Sequence, residues 1–198
     1  HSISLHTPTT WSAATQYKLE SSKSCKGLLT GNDGTTFLFS SPNRDELLDG
    51  IIEANENENI NWQVDGRNHI LKLWDSGGHP IDEQMLEKFK EDMNKVIKEH
   101  HALFGIPPWD NYVTVIQLTE KSRGGLEHLN SQTSMLPRQC LMPNHVEEYR
   151  DLVSLFSHEY LHQWNVKRLR PRNFLDYDLQ REAHTDLLWW FEGCTSWL

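Results

Sequence analysis

One stretch constrains this chain more than any other. Val146, Tyr149, Val153, Phe156, Tyr160 and Trp164 recur at helical spacing. Residues from about Asn144 to Trp164 must therefore form an amphipathic helix with that stripe against a core. Asn144 stands where an N-cap is expected, and Glu147 sits three residues on, in the capping-box position. The same stretch holds His158, Glu159 and His162 in the pattern H-E-x-x-H. Four residues are about 400° of turn and roughly 6 Å of rise, so the two imidazoles share one face. Both rings can then reach one ion at about 2.0–2.1 Å. Glu159 is offset by about 100°, which removes it from the ligand set and leaves it beside the ion, able to take a proton from a bound water. The pattern alone is weak evidence, because at this chain's His and Glu content chance supplies it in about one chain in twenty.

A metal held by two imidazoles needs a third ligand. Periodicity resumes near Glu182 and predicts a helix running to the end of the chain. Within it Glu192 is flanked by "LLWWF" and "GCTSW", a carboxylate expected to lie buried among large apolar residues. An unpaired buried carboxylate is costly, and metal coordination would remove that cost. Between His162 and Glu192 lie 192 − 162 − 1 = 29 residues, room for a loop and a returning helix. Asp176 and Asp178, in the loop-like "FLDYDLQ", rank below Glu192. His184 and Asp186 differ from it in helix phase by about −80° and about 120° and point elsewhere. The hydroxyls of Thr195 and Ser196 are candidates to support a ligand. Asn165, Lys167, Arg168 and Arg170 are expected to fix the turn after the motif helix. Leu187 to Phe191 read as helix core, and Trp189, Trp190 and Cys194 are assigned there.

Upstream the pattern changes character. Residues 1 to 75 are β-rich: "TTFLFS" is a short strand, and "NINWQV" and "HILKLW" flank an Asp-Gly turn as a hairpin. The polar "EANENEN" at 53 to 59 reads as a solvated loop. After "DSGGHP", Ile81, Met85, Phe89, Met93 and Val96/Ile97 predict a helix over 82 to about 103, stopped by Gly105, Pro107 and Pro108. "NYVTVIQLT" at 111 to 119 is a β-branched strand, and "KSRGG" a turn. Strands before helices make the fold α+β. The final "EGCTSWL" falls mid-pattern without a stop signal, so the chain is expected to be a fragment of a longer protein.

Composition excludes some classes. Formal net charge is −9 with Lys and Arg scattered singly, against a nucleic-acid partner, which needs a basic stripe. The same balance suits a cationic ligand such as a peptide amino terminus. No apolar run approaches the roughly 20 residues of a membrane span. "HSISLHTPTTW" lacks the basic start and apolar middle of a signal peptide and does not begin with Met. Cys25, Cys140 and Cys194 are odd in number and irregularly spaced, so neither a disulfide framework nor a cysteine metal site follows. Buried free thiols favour a reducing, cytoplasmic compartment, with the periplasm open as the alternative because the native N-terminus is not in view.

"SHEYLHQWNVKRLRP" (157 to 171), "LWWFEGCTSW" (188 to 197) and "GGLEHLNS" (124 to 131) together resemble the glycyl aminopeptidase family, gluzincin zinc metallopeptidases that usually carry a PDZ domain. "LHTPTTWSAATQY" and "DELLDGIIEA" are similar to stretches of that family's N-terminal β domain. The resemblance implies the end of a β-rich N-terminal domain over 1–76, then a thermolysin-like (gluzincin) catalytic domain over 77–198, truncated inside its third-ligand helix. It implies Zn2+ held by His158, His162 and Glu192, with Glu159 as general base and acid. By analogy with the exopeptidase loop of aminopeptidase N, it implies Glu127, with Gly124 and Gly125 beside it, at the free α-amino group of a peptide substrate whose first residue is small, Gly or Ala. His128 is read as structural. The tyrosine that stabilises the tetrahedral intermediate and the PDZ domain lie downstream in such enzymes, so the fragment by itself is expected to bind zinc and to be weakly active or inactive. Two rival readings stand beside this one: a zinc endopeptidase of the same fold, and a non-catalytic metal- or peptide-binding fragment. A structural zinc would need four protein ligands, and the sequence offers three.

Overall fold

Short strands joined by polar turns carry the chain as far as Asp75. The computed structural model describes residues 1–26, 33–175 and 177–197. In chain order the first elements are β1 (Ser2–Pro8), β2 (Ser12–Thr15), β3 (Lys18–Lys26), β4 (Asp33–Ser40), α1 (Arg44–Asp49) and β5 (Ile52–Asn55). β1, β4 and β3 form an antiparallel sheet in that order, and β2 pairs with β5. "TTFLFS" lies in β4. The helix α1 interrupts the expected β-rich region. Its Asn43 accepts the Glu46 N–H at 2.8 Å and donates to the Glu46 carboxylate, so N-x-x-E was a helix-start signal within reach of the sequence.

The next elements build the central sheet: β6 (Ile60–Val64), β7 (Arg67–Asp75), α2 (Glu83–Phe104), β8 (Asn111–Thr119), β9 (Gly124–Glu127) and β10 (Ser131–Pro137). Asp65 and Gly66 turn β6 into β7 with positive φ at both positions, 49° and 75°, the backbone that Asp-Gly favours in a two-residue hairpin. β7 and β8 run parallel, which requires a crossover, and α2 supplies it. Asp82 caps α2 by accepting the Met85 N–H, and Gly105 ends it at φ 84°. The sheet order is β6-β7-β8-β10-β9. The expected division after residue 76 therefore cuts this sheet, because β7, which pairs with β6 on one side, pairs on the other with β8, a strand that comes after it. An alternating hairpin in a β-rich region looked like part of the N-terminal domain, and its parallel partner lies 43 residues away, beyond local pattern (Asn68 opposite Asn111).

Both faces of β8 are covered, which explains its nearly unbroken apolar run. Tyr112, Ile116 and Leu118 join Leu71, Phe89, Met93, Phe156 and Tyr160 in the main core under α2 and α3 (Val146–Leu161). Val113 and Val115 pack on the other face with Ala14 and Ile51. "EANENEN" is not simply a solvated loop. Its start is β5, Asn55 is buried, and Asn55 and Asn57 both donate to the Leu73 carbonyl. The buried Lys72 ammonium donates to Ser12 Oγ and to the carbonyls of Asn55 and Asn57. Glu56 and Glu58 alone keep the expected exposure among its acidic residues.

Four expectations about the helices fail. α3 starts at Val146, and Asn144 adopts a left-handed φ of 67° instead of capping. Glu147 and Glu148 in the first turn favour the helix dipole without a capping box. Val146 is exposed, while Tyr149, Phe156, Tyr160 and Trp164 of the stripe are buried and Val153 half-buried. Residues 182–186 are not helical; helical turns begin near Leu188, first as the π-helical Trp189–Cys194 and then as α4 (Thr195–Trp197). Leu187, Leu188, Trp189 and Trp190 are exposed and only Phe191 is buried, so these residues are not core. "KSRGG" gives its two glycines to β9. All three cysteines are free, with Cys140 buried and Cys25 and Cys194 half-buried. No helix among the described residues is long and apolar enough to cross a membrane.

The core contains a titratable weak point. His69 is 1% exposed, stacks on Trp62, and has no hydrogen-bond partner on either ring nitrogen. Burial first, then His101, push its pKa from 6.5 down to about 4, against a small opposing effect of Asp65. A folded-state pKa below the unfolded value means that the unfolded chain binds more protons in between. Stability is therefore full above pH 6.5 and falls as pH drops towards about 4, by on the order of 3 kcal/mol for this one group. Urea denaturation across that window should show this group's share as the difference between the parent and His69→Phe, which keeps the stacking area without a proton site; the slope left in the variant belongs to other groups, among them His100, whose pKa burial also lowers to about 4.

Candidate active site

α3 delivers two imidazoles to one edge of the sheet. The His158 and His162 rings are 4.7 Å apart between centroids, with their Nε2 atoms 3.0 Å apart. The π-helical turn brings in Glu192, whose Oε2 lies 3.2 Å from His158 Nε2 and 3.7 Å from His162 Nε2. Two ligand atoms bound to one ion at 2.0–2.1 Å and a tetrahedral angle stand about 3.3 Å apart, so the three observed separations fit one small cation. The Glu192 side chain is 51% exposed, which overturns the expected burial: its flanking tryptophans point outward, and the carboxylate faces an open cleft of about 580 Å³ lined by Arg123, Gly125, His158, Glu159 and Ser196.

Hydrogen bonds fix the imidazoles for lone-pair donation. His162 Nδ1 lies 2.7 Å from the Asn165 carbonyl, which can only accept. Nδ1 therefore carries the proton, and in the neutral ring Nε2 presents its lone pair towards Glu192. His158 Nδ1 is 3.2 Å from Ser196 Oγ. Asn165 Nδ2 donates to Thr195 Oγ1 at 3.1 Å, tying the turn after α3 to the segment that carries Glu192. Thr195 and Ser196 thus both support the cluster, and Asn165 acts on it through its backbone as well as on the turn. Of the alternative ligands, Asp178, His184 and Asp186 are exposed and outside the cluster, and Asp176 lies outside the described residues.

Glu159 lies under the edge strand β9 at Gly125, with a carboxylate oxygen within 4.8 Å of a His162 ring nitrogen. It is 4% exposed. Burial first, then the negative charges of Glu127 and Glu192, push its carboxyl up to about 8, with Arg123 opposing. Arg123 is held by Asp151 in a two-point bond at 2.7–3.0 Å; in the sequence it reads only as part of the "KSRGG" turn. Gly125 makes room for the carboxylate, since a Cβ there would fall inside the Glu159 side chain, whereas one at Gly124 would meet nothing. Glu127, at the end of β9, joins Glu159 and His162 in a second group whose ligand atoms lie within 4.8 Å of one another. His128 is buried with neither ring nitrogen partnered. Among the described residues these two groups, sharing His162, are the ones that could hold a metal ion.

Residues 151–198 match the family M61 glycyl aminopeptidase. Over nearly its whole length the chain is also similar to the crystal structure of an aminopeptidase N family protein from Idiomarina loihiensis, at 28% identity and a TM-score of 0.79, covering 98% of this chain and 32% of that one. The chain thus spans about a third of that protein's length. No curated protein matches it in sequence.

The two glycines of β9 should respond differently to one methyl group. Gly125→Ala must displace a buried carboxylate and is expected to cost about 1–3 kcal/mol by overpacking. Gly124→Ala is expected to stay within about 0.5 kcal/mol of the parent. Equilibrium urea unfolding of the two variants at one pH measures both.

Proposed function

We propose, from the match of residues 151–198 to the M61 glycyl aminopeptidase family, that the chain is a member of that family and holds the metal-and-water half of a zinc-dependent aminopeptidase site. In this reading a β-rich N-terminal part precedes a thermolysin-like (gluzincin) catalytic part. His158, His162 and Glu192 hold Zn2+. Bound there, the ion would polarise the scissile carbonyl and acidify a water molecule. The observation that carries the proposal is the convergence of two imidazole Nε2 atoms and one carboxylate oxygen at 3.0, 3.2 and 3.7 Å, beside a buried carboxylate that is not one of them.

Each residue then has a distinct task. Asn165 and Ser196 orient the imidazoles. Glu159 accepts the proton of the attacking water and passes it to the leaving amine; it is the buried carboxylate of this cluster that is not one of the three proposed ligands. Glu127 takes the substrate's free α-amino group as a charge-assisted pair, which favours an unblocked peptide and penalises a blocked one. Gly125 lets the edge strand and a peptide beside it approach Glu159. The preference for small first residues, Gly or Ala, rests on the family.

Two measurements on the full-length protein test this. Glu159→Gln should keep stoichiometric zinc and lose at least about a hundredfold in hydrolysis; loss of zinc instead would make Glu159 a ligand and sink the assignment. Acetylating the substrate's N-terminus should abolish cleavage. Equal cleavage of blocked and free peptides would replace the aminopeptidase with an endopeptidase.

A further inference from the structure

Glu127 sits where electrostatics disfavours it. Its carboxylate belongs to a group with Glu159 and His162 whose ligand atoms lie within 4.8 Å of one another, and Glu159 already stands near Glu192. β9, which carries Glu127, is the outermost strand and is paired on one side only. Some group must hold the end of that strand in place.

The turn after Glu127 shows which. The Leu129 N–H donates to Asp49 Oδ2 at 2.6 Å. The other oxygen of Asp49 accepts from Lys167 Nζ at 2.7 Å, with His128 Nδ1 at 3.8 Å. Asp49 is the last residue of α1, in the N-terminal part of the chain. Lys167 follows His162 by five residues, and its own N–H donates to the His162 carbonyl at 3.0 Å. The Lys167 carbonyl in turn accepts from Arg170 Nε. The Asp49 carboxylate thus joins three separate segments: α1, the turn behind Glu127, and the segment behind His162. Asp49, Lys167 and Glu127 line one cavity of about 330 Å³ with Leu48, Val166 and Phe174. The Asp49 and Lys167 side chains are 21% and 19% exposed, and a partly buried pair of this kind sets geometry more than it adds stability.

We propose that Asp49 is a positioning residue that, through the Leu129 amide and Lys167, holds Glu127 at the end of the site that receives the substrate's amino group. The proposal rests on the reading of Glu127 given above. It assigns to α1 a part in selecting unblocked peptides.

The test uses zinc-loaded full-length enzyme and one alanyl peptide in free and N-acetylated form. Asp49→Ala and Lys167→Met should each raise KM for the free peptide about tenfold or more while kcat changes less than about threefold. The preference for the free over the acetylated peptide, in kcat/KM, should fall about tenfold towards that of Glu127→Gln, with zinc content unchanged. Lys167→Arg should restore most of it. If Asp49→Ala does not fold, Asp49→Asn, which still accepts from Leu129 but loses the charge facing Lys167, takes its place beside Lys167→Met. A preference within about twofold of the parent in folded, zinc-loaded variants, with Glu127→Gln losing it, overturns the positioning role alone. A preference that survives Glu127→Gln overturns the reading of Glu127, and this proposal with it.

Discussion

The site exists because the fold holds three carboxylates and two imidazoles closer together than they would choose. Glu127 and Glu159 have oxygens within 4.8 Å. At an effective dielectric near 20, two full charges at that distance repel by about 3–4 kcal/mol. The system responds in the way physics allows: Glu159 is pushed up to about 8, and burial and His162 lower the His158 pKa. A cation among His158, His162 and Glu192 would relieve the same strain, since its charge opposes each of those repulsions. The chemistry proposed for the site and its electrostatic discomfort are one fact.

Rigid elements pay for that crowding. α3 carries His158 and Glu159, and His162 as its C-terminal cap, because the opposite side of the helix is sealed into the core by Tyr149, Leu152, Phe156 and Tyr160. Tyr160 lies one residue from Glu159 and is fully buried, and His101 Nε2, 3.0 Å away, links its hydroxyl to Asp65 in the β6–β7 turn. The turn of the central hairpin and the helix that carries His158 are therefore mechanically connected. β9 lies over Glu159 and closes the site from the sheet side at Gly125. The Asn165–Thr195 bond closes it from the far side.

Local patterns were legible and long-range ones were not. The Asp-Gly hairpin, α2 with its Gly105 stop, and β8 with its β-branched run all follow from residues near in sequence. The failures share another cause. Asn144 looked like a cap, and tertiary packing instead placed it at a left-handed turn. The tryptophans beside Glu192 looked like core, since composition cannot distinguish a buried aromatic from one on an open face. Ile60–Asp75 looked like part of an N-terminal domain, since its parallel partner lies beyond α2. Arg123 and Asp49 passed unnoticed because their partners, Asp151, Lys167 and the Leu129 amide, are separated from them by 28, 118 and 80 positions.

Sequence by itself determined which side chains α3 would present together, because helix geometry fixes the four-residue spacing of His158 and His162 whatever surrounds them. It also singled out Glu192, while Glu127 came from the resemblance of "GGLEHLNS" to a known family. Only the tertiary structure decided that the Glu192 carboxylate is half exposed in a cleft, that Glu159 is buried beneath a glycine of an edge strand, and that Glu127 stands beside it against charge repulsion. These are distances between segments far apart in the chain, set by how sheet, helices and the α1 carboxylate pack. No local spacing encodes them.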